Sequence, residues 1–219
     1  MKTREFKKKL YKQLAVVTKA LSNPNRLEIL DLIAQGPVPV EYIAEHIDQP
    51  IANASQHLQV LKKSGLVETE KKGKYNYYQL AGKQVYDVWN SLRAIGLSSN
   101  SEIENLLNDY RYKKAGLKTI SRDELLKKME DDEVYLIDVR PPEEFELGHI
   151  KNAVSLPKLE LDERLEEIPD DKQIVAYCRG PLCLMADEAV RYLNESGFNA
   201  VRLDEGFPEW KAVELPIDQ

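Results

Sequence analysis

Sulfur and imidazole are scarce in this chain: it holds two cysteines and three histidines in 219 residues. Both thiols, Cys178 and Cys183, fall in one short segment, so no disulfide framework can be built, and such sparing use of cysteine suits a reducing cytosol. Long apolar runs are also missing. No stretch of about 18 apolar residues exists, which predicts that nothing spans a membrane. The opening residues, Met1-Lys2-Thr3-Arg4-Glu5-Phe6-Lys7-Lys8-Lys9, lack the apolar centre of a secretory signal, and the expectation is a cytoplasmic protein. Internal repeats and low-complexity tracts are absent, which leaves ordinary globular domains.

What is present is a composition of 42% hydrophobic and 31% charged residues, ordinary for a globular protein. The length allows two cores of roughly 100 residues each. The net charge of −6 conceals a split. Residues 1–118 carry 19 basic and 12 acidic side chains, a net of +7, whereas residues 119–219 carry 12 and 25, a net of −13. A step of that size assigns the halves to different partners: the basic half suits a polyanion and the acidic half avoids one.

Along the basic half, Phe6, Leu10, Leu14, Val17 and Leu21 recur at helical spacing and predict a helix over 5–21. Ser22 or Asn23 caps a second helix starting near Pro24, with Leu27, Leu30 and Ile33 inward and Gly36-Pro37 ending it. A short third helix over 39–47 is followed by the turn Asp48-Gln49-Pro50 and a fourth helix over 51–63. Ile51, Ala54, Leu58 and Leu61 form the buried stripe of that helix, and Gly65 stops it. Two strands, 66–70 and 75–80, flank the turn Lys71-Lys72-Gly73-Lys74. A last helix over 82–97 continues to Tyr112 after a break near residues 98–100.

A short helix, a tight turn and a polar-faced helix place side chains in a major groove. Asn53, Ser55, Gln56 and Gln59 supply the donors and acceptors that reading base edges needs, with Lys62 and Lys63 on the same side. Lys71, Lys72 and Lys74 at the tip of the hairpin suit phosphates, which fix position and carry salt-dependent affinity. A merely solvated polar face is the alternative for any one of these residues. The run Ser55-Gln56-His57-Leu58-Gln59-Val60-Leu61-Lys62-Lys63-Ser64-Gly65-Leu66-Val67 resembles the recognition helix of ArsR-type winged-helix repressors, and Asn25-Arg26-Leu27-Glu28-Ile29-Leu30 resembles the start of that family's second helix. The resemblance covers about residues 8–97. It implies a homodimer built from the first and last helices and a palindromic DNA operator. Metal-sensing members bear a cysteine pair on the third helix or His and carboxylate ligands on the last. Here no cysteine occurs in residues 1–118 and no histidine in the last helix, so no metal site is expected.

From residue 113 the pattern changes to apolar strand-like runs at 134–137, 153–156, 174–177 and 200–203, alternating with helical stretches clearest at 121–130 and 183–196. This predicts a mainly parallel sheet with helices on both faces. The expected domains are 1–112 and 113–219, with the linker near 112–118. The fold class is therefore an α+β winged helix-turn-helix followed by an α/β domain.

After the strand 174–177, Cys178-Arg179-Gly180-Pro181-Leu182-Cys183 leads into a helix. A glycine-containing loop entering a helix N-terminus aims backbone amides at one point and favours an anion. That predicts an exposed Cys178 with a lowered pKa, and Arg179 as a donor to an anionic substrate. The segment resembles the active loop of rhodanese-like domains, a cysteine opening a six-residue turn. Asp138-Val139-Arg140 with Glu143, Glu144, Phe145 and Gly148-His149-Ile150, then Asn152-Ala153-Val154-Ser155-Leu156-Pro157, and finally Gly206-Phe207-Pro208-Glu209-Trp210 resemble that family's other motifs in order. Glu205 stands where a second glycine is usual. The resemblance implies sulfane-sulfur chemistry: Cys178 takes sulfur from a small anionic or persulfide donor and passes it on. Asp138 and Arg140 read as a structural ion pair, and His149 as a packed residue. Cys183, where a basic residue is common, either resolves a sulfenate or persulfide at Cys178 or caps the following helix. No cofactor is implied. The combined expectation is a repressor whose rhodanese-like domain senses sulfane sulfur, the alternative being a sulfurtransferase with an accessory winged helix.

Overall fold

The computed structural model describes residues 3–115 and 117–219. The chain divides into two compact units, one ending at Ala94 and the other running from Ile95 to Gln219. The division falls ahead of the expected 112/113, inside a helix, because the stretch after residue 99 packs with the second unit. Residue 116, in the expected linker, lies outside the described residues.

The first unit begins with α1 (Thr3–Leu21) and α2 (Pro24–Ile33). Asn23 is the cap of α2: its side chain accepts from the Arg26 amide at 3.1 Å, and Pro24 follows at the first helical position. A two-residue strand not foreseen from sequence, β1 (Val38–Pro39), precedes α3 (Val40–His46) and α4 (Ile51–Lys63). The hairpin β2 (Val67–Lys72) and β3 (Tyr75–Leu80) pairs in antiparallel register, with β1 as a third strand on β3. The hairpin loop is only Gly73-Lys74, so Lys71 and Lys72 are strand residues rather than turn residues. Gly73 sits at φ 61°, a conformation costly for any residue with a Cβ.

Helix α5 (Lys83–Ser99) closes this unit, and Asn100 separates it from the next helix. Asp31 on α2 pins it: one carboxylate oxygen accepts from the indole of Trp89 and the guanidinium of Arg93, each at 3.1 Å. Ile29, Leu30, Ile43, Ala54, Leu58 and Leu61 make the core. Ile51, expected in the buried stripe of α4, is instead 52% exposed at the first position of the helix.

The second unit opens with α6 (Ser101–Ala115), β4 (Thr119–Ile120), α7 (Arg122–Glu130) and β5 (Val134–Asp138). Next come α8 (Pro142–Glu146), β6 (His149–Ile150), β7 (Val154–Ser155) and β8 (Gln173–Tyr177). It ends with α9 (Met185–Glu195), β9 (Ala200–Leu203), α10 (Phe207–Ala212) and β10 (Ile217–Asp218). Five strands form a parallel sheet in the order β4-β9-β8-β5-β7. Strand periodicity divides the core in two. Ile174 and Ala176 of β8 pack with Ala186, Ala189, Val190 and Leu193 of α9, while Val175 and Tyr177 pack with Leu125, Phe207 and Trp210 of α7 and α10. The winged helix and the rhodanese-like sheet are both as the sequence leads one to expect.

Candidate DNA-binding face and cysteine loop

On α4 the fully buried residues Ala54, Leu58 and Leu61 leave the opposite side to solvent. Gln56, Gln59 and Lys63 lie there at spacings of three and four, on one stripe with Ala52. Ala52 was missed in the sequence because a lone alanine carries no polar signal; its methyl suits the apolar edge of thymine. Asn53 is exposed and reaches Gln49 at 3.5 Å, and Ser55 is half-buried at the edge of the stripe. Lys62 is turned aside to the Thr69 hydroxyl at 2.9 Å. In the hairpin Lys72 pairs with Glu70 at 3.3 Å and lies over Tyr77, Lys74 lies over Tyr75, and Lys71 is exposed. His57 is half-buried beside Asn25 at 3.3 Å; burial, then the charge of Arg26, lowers its pKa.

The cysteine loop differs from expectation at its first residue. Cys178 is only 1% exposed. Residue 178 follows β8 on the side of Ile174 and Ala176, so the alternation of the strand turns its thiol into the α9 core, and Cys183 folds against it. Desolvation pushes the Cys178 thiol well above its ordinary pKa, reinforced by Cys183, with Arg202 and the Ala186 amide opposing. Cys178 donates to the Cys183 carbonyl at 3.8 Å.

Cys183 is partly exposed. Its pKa falls to about 7, above all because the Cys178 thiol donates to it, then through the amides of Met185 and Arg179 and the charge of Arg179, with burial opposing. The amides at the start of α9 are therefore shared: Met185 serves Cys183 and Ala186 serves Cys178.

Arg179 is engaged within the protein. Its guanidinium is held by the buried Glu144 in a fork, Nε at 2.9 Å and Nη2 at 2.6 Å from the same carboxylate oxygen. Gly180 has φ 146°, and Gly206 approaches so closely that a Cβ there would lie 2.3 Å from the Gly180 nitrogen. The glycine of the last motif is thus a spacer for the loop. Two further arginines grip the loop from outside: Arg111 of α6 donates to the Pro181 carbonyl at 2.6 Å, and Arg202 of β9 to the Gly180 carbonyl at 3.4 Å. The buried Asp187 anchors both, at 3.1 Å from Arg111 and 3.6 Å from Arg202. Glu144, Arg111, Asp187 and Arg202 carry no local motif, and only the folded chain collects them.

Asp138 and Arg140, both fully buried, pair at 2.6 Å, and Arg140 also donates to the Gly148 carbonyl at 2.8 Å. His149 stacks on Phe145 and shares a hydrogen bond with the Phe145 carbonyl at 3.0 Å.

Comparison with known families matches residues 21–70 to a helix-turn-helix domain and residues 121–213 to a rhodanese-like domain. The HTH-type transcriptional regulator Rv0324 of Mycobacterium tuberculosis is 41% identical over 210 residues, 96% of this chain and 92% of that protein. A sulfurtransferase of Allochromatium vinosum is 35% identical over 100 residues, 45% of this chain and 92% of that protein. The arsenical resistance operon repressor of Staphylococcus aureus is 35% identical over 89 residues, 41% of this chain and 86% of that protein.

Proposed function

The chain belongs to the family of ArsR-type helix-turn-helix transcriptional regulators that carry a C-terminal rhodanese-like domain, and from that premise we propose that it is a cytoplasmic DNA-binding repressor whose loop 178–183 takes up sulfane sulfur and thereby changes its affinity for a palindromic operator. The observation that carries the DNA reading is the outward polar stripe of α4, Gln56 and Gln59 above all, set opposite three fully buried residues. Glutamine amides address adenine in the major groove, while Lys63, Lys71, Lys72 and Lys74 meet phosphates. A homodimer follows from apolar residues that the single chain leaves in solvent: Phe6, Leu10 and Leu14 on α1, and Val88, Leu92 and Ile95 on α5. Two-fold symmetry then sets half-sites about 34–36 Å apart.

A duplex selected from a random pool by the wild-type protein tests this. The double variant Gln56→Ala, Gln59→Ala keeps salt-dependent binding to any duplex but loses roughly 1–3 kcal/mol of preference for each base contact removed. Undiminished preference in that variant overturns the assignment of α4. For the sulfur signal, inorganic polysulfide changes the operator affinity of the wild type about 5–150-fold, the usual range for coupled sites, and leaves Cys178→Ser unchanged. Equal responses from both proteins remove Cys178 from the signal.

The likeness to a sulfurtransferase over 100 residues favours a second reading, an enzyme with the winged helix as accessory. The burial of Cys178 and the commitment of Arg179 to Glu144 weigh against fast turnover. Thiosulfate sulfurtransferase activity that is abolished in Cys178→Ala would support it, and undetectable turnover removes it.

A further inference from the structure

Resting on the reading of loop 178–183 as a sulfur-sensing loop, we infer that Cys183 is the entry thiol, the first to attack low-molecular-weight polysulfide, and that Cys178 is the resolving thiol, so that the loop closes to a Cys178–Cys183 disulfide. This reverses the order in which the two cysteines occur in the chain.

Position decides the order. Cys178 is 1% exposed and packed among Ile174, Ala176 and the inner face of α9, whereas Cys183 is partly open to solvent. A polysulfide arriving from water meets Cys183 before it can reach Cys178. The two residues already adjoin: Cys178 donates to the carbonyl of Cys183 at 3.8 Å, and Cys183 packs against the same core cluster. Charge placement points the same way, since Arg179, steered by the buried Glu144, and the Met185 amide stand at Cys183. The chain has only these two cysteines, so no other intramolecular thiol competes for resolution.

The chemistry balances in two steps. The Cys183 thiolate attacks a terminal sulfane sulfur of the polysulfide; a bond forms between Sγ and that sulfur, the donor's S–S bond breaks, and the shortened polysulfide leaves with the electron pair. Cys178 then attacks the Sγ of Cys183. The Sγ–Sγ bond forms, the bond to the outer sulfur breaks, and that sulfur departs as sulfide with the electron pair and the proton of Cys178. Two thiols are oxidised by two electrons and one sulfane sulfur is reduced.

Mass spectrometry of the full chain over time with sodium tetrasulfide tests the order. The wild type is expected to end about 2 Da lighter, as a disulfide. Cys178→Ser still reacts and stops about 32 Da heavier, with the added sulfur on Cys183. Cys183→Ser reacts about tenfold more slowly or worse. Alanine variants at both positions run alongside, and end products that agree between serine and alanine rule out a local folding defect as the cause. Cys183→Ser reacting as fast as wild type, or wild type ending as a stable persulfide, overturns the proposal. Operator binding measured on the same samples separates the two ideas. A disulfide form with unchanged DNA affinity overturns the sulfur signal and leaves the thiol order standing. DNA release with Cys178 modified first does the reverse.

Discussion

A thiol ionises according to the donors it faces and the water it keeps, and residues 178 and 183 divide these influences between them. Cys183 owes its pKa of about 7 first to the hydrogen bond from Cys178. A donor to the thiolate favours the charged form, so removing it raises the pKa and lowers the thiolate fraction at neutral pH. In Cys178→Ala the pH midpoint for alkylation of Cys183 by iodoacetamide is therefore expected to move up from about 7 towards the ordinary value of 9.0. A midpoint that stays near 7 assigns the lowering to the Met185 and Arg179 amides and the Arg179 charge. The Asp138–Arg140 pair supplies a second residue-scale prediction. Both side chains are fully buried, so Asp138→Ala strands a guanidinium in the core. Breaking a buried pair from one side costs about 3–5 kcal/mol, read as a lower denaturation midpoint of the second unit. A loss below about 1 kcal/mol means water or another acid replaces Asp138.

At the scale of elements, the cysteine loop is held from three directions by parts of the chain far apart in sequence. Gly206 at the start of α10 lets the loop approach, Arg202 holds the Gly180 carbonyl, and Arg111 on α6 holds the Pro181 carbonyl. Because a trans peptide points its N–H opposite to its C=O, fixing the Pro181 carbonyl also fixes where the Leu182 amide faces. Helix α6 follows α5 in the chain after Asn100, and the proposed signal predicts that a change in the loop reaches α6 through Arg111. Arg111→Ala leaves the buried Asp187 with Arg202 as its remaining ion-pair partner among the described residues. The expected outcome is faster amide exchange in α6 and in residues 179–184, and a smaller change in operator affinity on polysulfide treatment. Cysteine modification itself proceeds as in wild type. An Arg111→Ala protein with wild-type exchange and wild-type response excludes this route.

For the whole molecule, the unpartnered apolar stripes and the uneven charge set the expected behaviour. The exposed Leu14 and Leu92 belong to surfaces that the single chain does not cover. Leu14→Glu with Leu92→Glu is expected to yield monomers by sedimentation and to lower operator affinity by about 100-fold or more, because the half-sites are no longer engaged together. Dimers that persist in the double variant place the interface elsewhere. Operator affinity should also fall steeply with salt, carried by the half with a net charge of +7.

Amino-acid order alone determined the elements and both families of fold. The apolar period of α4, the glycine that ends it and the strand-loop-helix punctuation around residue 178 are local properties, and local propensity and patterning suffice to read them. The polar residues of α4 were legible for the same reason, since a helix with one apolar stripe must turn its other side outward. What the folded chain alone decided is which thiol faces water, which acid holds Arg179 and which arginines hold the loop. Burial and long-range ion pairs depend on segments dozens of residues apart meeting in space. The cysteine that opens the loop is thus sealed in the core, and the one that closes the loop packs on that core while staying partly exposed.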